Sequence, residues 1–161
     1  MDIHQTSILI VEDNLEILDL LKNVLQRHFN TVFTATNGKL AHAIVSDKNP
    51  DLILTDIVMP EQSGIDFAIK IRAEGKTTPI IMISGTNDKD DLLKAIKIGV
   101  KDFIEKPFNV DEVEKIVHRV LEVSLREANL PEMITRYGLD SIEVLRHKRL
   151  IGLLQAISSK T

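Results

Sequence analysis

Five short apolar runs are separated by stretches with helical spacing, and this alternation narrows the fold more than any other property of the chain. The runs are SILIVED (7–13), TVFTAT (31–36), DLILTD (51–56), PIIMIS (79–84) and DFIEKP (102–107). Three of them are almost continuously apolar, as strands are when a parallel sheet is covered on both faces. In NLEILDLLKNVLQRHF, Ile17, Leu21, Val24, Leu25 and His28 or Phe29 recur at helical spacing. GKLAHAIVSDKN, GIDFAIKIRAEG and DKDDLLKAIKIG follow the next three runs. NVDEVEKIVHRVLEV closes the series with Val113, Ile116, Val117, Val120 and Leu121 on one face.

The punctuation agrees with this reading. Gly75 and Gly99 fall where helices should stop, because glycine accepts the left-handed conformation just past a helix end. Asn14, Asp88 and Asn109 fall where helices should start, and Pro50 and Pro79 fall in helix-to-strand connections. Five βα units in about 120 residues predict an α/β fold: a doubly wound, five-stranded parallel sheet of flavodoxin-like order 2-1-3-4-5 with helices on both faces. Its crossovers are expected to be right-handed.

In such a sheet ligands meet the carboxyl ends of the strands at the switch point, here between strands 1 and 3. Strand 1 runs out at Glu12 and Asp13, and strand 3 at Asp56. Strand 4 ends at Ser84 and strand 5 at Lys106. Each residue alone has a plain structural reading. A strand-end acid is usually a helix cap or a solvated loop residue, and Ser84-Gly85 makes an ordinary turn. Their joint arrival at neighbouring strand ends argues for chemistry. Three close carboxylates resist simultaneous ionisation, and a hard divalent cation such as Mg²⁺ relieves them. Metal, ammonium and hydroxyl together suit a phosphoryl group, with Asp56 as the nucleophile.

Composition closes off other classes. Residues 1–124 hold 14 Lys and Arg against 20 Asp and Glu, a net charge of −6, which disfavours nonspecific nucleic-acid binding. Residues 125–161 carry a net charge of +2. There is no cysteine, so thiolate and disulfide chemistry are absent. No run reaches the ~18 apolar residues of a membrane span, and the N-terminus lacks the basic and cleavage features of a signal peptide. A cytoplasmic location is expected. The glycines at 38, 64, 75, 85, 99, 138 and 152 form neither a dinucleotide fingerprint nor a Walker loop.

The segments VEDN (11–14), DIVMP (56–60) followed by Gly64, ISG (83–85) and EKPF (105–108) resemble the response regulator receiver domain of two-component signalling, of the CheY-like superfamily. The likeness covers about residues 6–124. It implies that Asp56 is the phosphoacceptor. It implies that Asp13, Asp56 and the Val58 backbone carbonyl hold Mg²⁺, with Glu12 acting through water and Mn²⁺ as a substitute. It also implies that Ser84 hydrogen-bonds the phosphoryl group, that Lys106 pairs with it, that Phe103 is the switch aromatic and that the Lys106–Pro107 bond is cis. The implied partner is a sensor histidine kinase or a histidine phosphotransfer protein, and the implied role is a phosphoswitch rather than a turnover enzyme. The alternative is a Mg²⁺-dependent aspartyl-nucleophile phosphatase of the haloacid dehalogenase type. That family wants a second Asp two positions on, where this chain has Val58.

Residues 125–161 are expected to form a helical extension. NLPEMITRYG reads as a short helix ending at Gly138, and DSIEVLRHKRLIGLLQAI as a second one over 140–157. The apolar set of the second, including Ile142, Leu145, Leu153 and Ile157, is too rich for an isolated helix in water. Dimerisation or partner docking, through this extension and the 88–124 face, is the expected use. The basic cluster RHKR (146–149) is too small to argue for DNA.

Overall fold

The structure, a computed structural model, describes residues 3–85 and 89–128. The expected helix start at Asp88 and the whole of 129–161, with its two expected helices, lie outside the described residues. The chain divides into two compact units, Met1–Leu121 and Glu122–Thr161, and the five strands among the described residues belong to the first.

Those strands are β1 (Ser7–Val11), β2 (Thr31–Ala35), β3 (Leu52–Asp56), β4 (Ile80–Ser84) and β5 (Asp102–Glu105). They form one parallel sheet in the order β2-β1-β3-β4-β5, the order expected. The central strands are apolar for the reason given by their position. Every residue of β3 and β4 is buried, as is all of β1 after Ser7. The connecting helices are α1 (Leu15–Leu25), α2 (Gly38–Lys48), α3 (Gly64–Ala73), α4 (Lys89–Lys97) and α5 (Val110–Ala128). α5 runs past the end expected near residue 124.

Helix ends follow local chemistry. The Asn14 side chain accepts from the Glu16 and Ile17 amides and starts α1. Asn109 does the same for α5 through the Glu112 amide at 2.7 Å. Asn37 and Ser63 cap α2 and α3. Gly75 and Gly99 take φ values of 79° and 76° just beyond α3 and α4. At both ends the next amide reaches back to the helix, Lys76 to the Ile71 carbonyl and Val100 to the Ala95 carbonyl, each at 3.1 Å. This is the Schellman closure. After α2 the left-handed position falls instead to Asn49, at φ 45°.

The buried face of α1 differs by one position from expectation. Leu18, Leu21, Val24 and Leu25 are buried, whereas Ile17 is only partly covered. With the helix fixed at Asn14, residues 18, 21 and 25 share the stripe facing the sheet and Ile17 lies at its shoulder. Phe29 is buried, and His28 turns its Nε2 to Glu114 of α5 at 3.2 Å. In α5 the buried set is Val113, Val117, Val120 and Leu121, with Ile116 partly exposed.

Candidate functional site

The sheet order brings the ends of β1 and β3 side by side, with β4 and β5 next to β3 on the other flank. Glu12 follows β1 directly and is fully buried. It stays there because its carboxylate has partners: Oε1 accepts the Asn14 amide at 3.0 Å and Oε2 accepts from Lys106 Nζ at 3.3 Å. A buried charge without such partners would be costly. Asp13, the next residue, is exposed. Asp56, last in β3, is 4% exposed and accepts from Lys106 Nζ through Oδ2 at 2.9 Å. Its other oxygen, Oδ1, accepts the Val58 amide at 3.3 Å.

Lys106 follows β5, which ends one residue earlier than the sequence suggested. Its amide donates to the Ser84 carbonyl at 2.8 Å, which fixes the start of the side chain against the end of β4. The Lys106–Pro107 bond is cis, as the resemblance implied. Ser84 is buried at the same edge. Val58 lies beyond β3 and is 59% exposed. Phe103 in β5 is partly buried and packs against the main core cluster.

The electrostatics follow from this crowding. Burial, the largest influence, pushes the Glu12 carboxyl above its ordinary range. The Asn14 amide and Lys106 oppose that rise, and the Asp56 charge adds to it. For Lys106, burial works to lower the ammonium pKa, but the hydrogen bond and charge of Asp56, followed by those of Glu12, outweigh it and the net shift is upward. One cation is thus held firmly between two buried acids.

Glu12, Asp13 and Asp56 offer carboxylate oxygens that all lie within 4.8 Å of one another. Three hard oxygen donors this close together fit Mg²⁺, which favours carboxylates plus water over nitrogen or sulfur ligands. Lys106 neutralises only part of the negative charge they bring. The expected residues Glu12, Asp13, Asp56, Ser84 and Lys106 therefore gather at one sheet edge. Thr55 had no place in the sequence reading, and Gly64 entered it only as part of the motif after DIVMP. That both enclose the Asp56 main chain depends on how the segment after β3 folds back.

The fold and this cluster define a class, and comparison with known proteins agrees on it. The sequence model of the response regulator receiver domain matches residues 8–118, more than half of the chain. The chain belongs to that family. It is 34% identical over 139 residues to the transcriptional regulatory protein KdpE of Staphylococcus aureus, covering 86% of this chain and 59% of KdpE. It is 32% identical over 124 residues to Histidine kinase P4 of Formosa agariphila, covering 76% of this chain and 9% of the kinase. Among solved structures, the Vibrio cholerae chemotaxis protein CheY4 superposes with a TM-score of 0.68 at 28% identity, over 72% of this chain and 98% of CheY4. The chain thus spans only part of the two relatives, and what those proteins share with it is a receiver domain of two-component signalling. No helix among the described residues is long and apolar enough to cross a membrane.

Proposed function

We propose that the chain is a phosphorylatable receiver in which Asp56 accepts a phosphoryl group from a histidine kinase or a histidine phosphotransfer protein. The observation that carries this is the Asp56 carboxylate, buried at the end of β3 with Lys106 Nζ at 2.9 Å and two further acids beside it. A carboxylate oxygen of Asp56 attacks phosphorus, the phosphorus–nitrogen bond of the phosphohistidine breaks, and the imidazole leaves with the electron pair and takes up a proton. Lys106 follows the developing negative charge and pairs with the phosphoryl oxygens. Ser84 donates a hydrogen bond to them. Asp13, Asp56 and the Val58 carbonyl would hold Mg²⁺, or Mn²⁺ in its place, with Glu12 acting through water, and the ion would supply charge neutralisation at the site.

The output follows from the same edge. A phosphoryl group brings about −1.5 to −2 charge at pH 7. Ser84 moves toward it, and the Phe103 ring turns further inward. The face built by α4, β5 and α5 then changes, and residues 125–161 carry that change to a second copy of the chain or a downstream protein. Residues 1–124 act as the receiver and 125–161 as its appendage, in the cytoplasm where the kinase donates. Incubation with phosphoramidate and Mg²⁺ tests the class. A receiver captures one phosphate per chain and does not turn over added phosphoesters. Sustained release of phosphate from an added phosphoester, beyond the slow cycling of phosphoramidate through the Asp56 adduct, would move the protein to the phosphatases.

A further inference from the structure

The main-chain carbonyl of Asp56 is enclosed from two sides. Thr55, fully buried, donates its hydroxyl to that oxygen at 3.0 Å. Gly64, the first residue of α3, comes down on it from above. A Cβ at position 64 would stand 2.0 Å from the Asp56 carbonyl oxygen and 3.1 Å from Thr55 Oγ1. The obstacle at 2.0 Å is backbone, so no side-chain swing relieves it. Gly64 does not have a left-handed φ. General helix propensity favours alanine over glycine. Space alone excludes it.

The same contact closes the segment after β3. The Gly64 amide donates to the Ile57 carbonyl at 2.8 Å, and Gln62 to the Pro60 carbonyl at 2.8 Å. The returning chain thereby fixes Val58, whose amide reaches Asp56 Oδ1 at 3.3 Å. We infer that Thr55 and Gly64 are positioning residues for phosphoryl capture: they clamp the Asp56 main chain and so aim its carboxylate between Lys106 and the two other acids. This rests on Asp56 being the acceptor. The carboxylate is only one methylene from that clamped backbone. A misplacement of about 1 Å at a reacting group can cost on the order of a hundredfold in rate.

The experiment uses the full chain, phosphoramidate and Mg²⁺, with initial rates of adduct formation read by intact mass over a range of donor concentrations. Thermal melting of each protein records that it folds. The proteins are wild type, Thr55→Val, Thr55→Ser and Gly64→Ala. Gly64→Ala is expected to lower the maximal rate by at least about tenfold while the half-saturating donor concentration stays within about twofold. Thr55→Val, which keeps the shape and deletes the donor, is expected to lose about three- to tenfold, and Thr55→Ser to return to within about twofold of wild type. If Gly64→Ala does not fold, the Thr55 pair decides. Capture at the wild-type rate by the valine variant, or the same loss in the serine variant, overturns the clamp. A wild-type chain that captures no phosphoryl group at all overturns instead the reading of Asp56 on which the clamp rests.

Discussion

The ammonium of Lys106 lies 2.9 Å from Asp56 Oδ2, so one cation from the end of β5 holds the acid at the end of β3. The same nitrogen reaches Glu12 Oε2 at 3.3 Å. Asp56 and Glu12 therefore share a single ammonium. Asp56 and Glu12 raise the pKa of that group against the effect of burial. A raised ammonium pKa adds stability that is fully present below the ordinary value near 10.5 and is lost as pH rises through the higher folded value. In metal-free buffer the stability of wild type should fall more steeply above pH 10.5 than that of Lys106→Met. Denaturant titrations from pH 8 upward measure this. Parallel curves for the two proteins would show that the ion pair adds no pH-dependent stability.

Glu12 has the opposite chemistry and the same sign. Its carboxyl is raised, chiefly by burial, so its protonated form gives stability that is present below 4.5 and lost as pH rises through the raised value. Mg²⁺ needs the ionised form. Calorimetric Mg²⁺ titrations should show affinity falling as pH drops through that window, and Glu12→Gln should flatten the dependence. Asp13→Ala should weaken Mg²⁺ by at least about tenfold at pH 7, since it removes a charged oxygen donor. Unchanged affinity in Asp13→Ala would remove Asp13 from the metal site.

Lifetime of the adduct depends on an attacking water. In resembling proteins the side chains at positions 58 and 86 influence that step; Thr86 lies outside the described residues. Val58 presents an exposed aliphatic side chain that offers water no hydrogen bond. Phosphoryl loss should be slower in wild type than in Val58→Asn. Decay followed by intact mass after removal of the donor decides it, and equal half-lives would rule Val58 out as a brake.

Much of this was legible in the chain. The order of strands followed from counting βα units, and the caps at Asn14 and Asn109 from their place before helical repeats. The convergence of Glu12, Asp56 and Lys106 was legible only after the topology was assumed, because nothing local relates residues so far apart in sequence. Other features depend on contacts that no window of sequence contains. The role of Gly64 arises from the distance between α3 and β3, and its φ gives no hint. Asn49 accepts the left-handed position after α2 in the place of a glycine, with Lys76 Nζ 2.6 Å from its side-chain oxygen. Leu18 replaced Ile17 in the core because helix phase is set by where the cap falls and by the sheet beneath. Arg72 was given no role, yet it donates to the Ile98 and Lys76 carbonyls and ties the ends of α3 and α4 together.

The proposed output predicts a response beyond the receiver. Hydrogen exchange with and without beryllofluoride, a phosphoryl mimic, should change at Phe103 and also across residues 125–161. A clear response at Phe103 with unaltered exchange throughout 125–161 would make those residues a passive appendage.

The most direct test of the account is covalent. Wild type and Asp56→Asn, a variant that keeps the shape and removes the nucleophilic carboxylate, are each incubated with phosphoramidate and Mg²⁺ and weighed intact. Wild type should gain the mass of one phosphoryl group, and Asp56→Asn should gain none. The same adduct on both proteins would contradict the assignment of Asp56 as the acceptor.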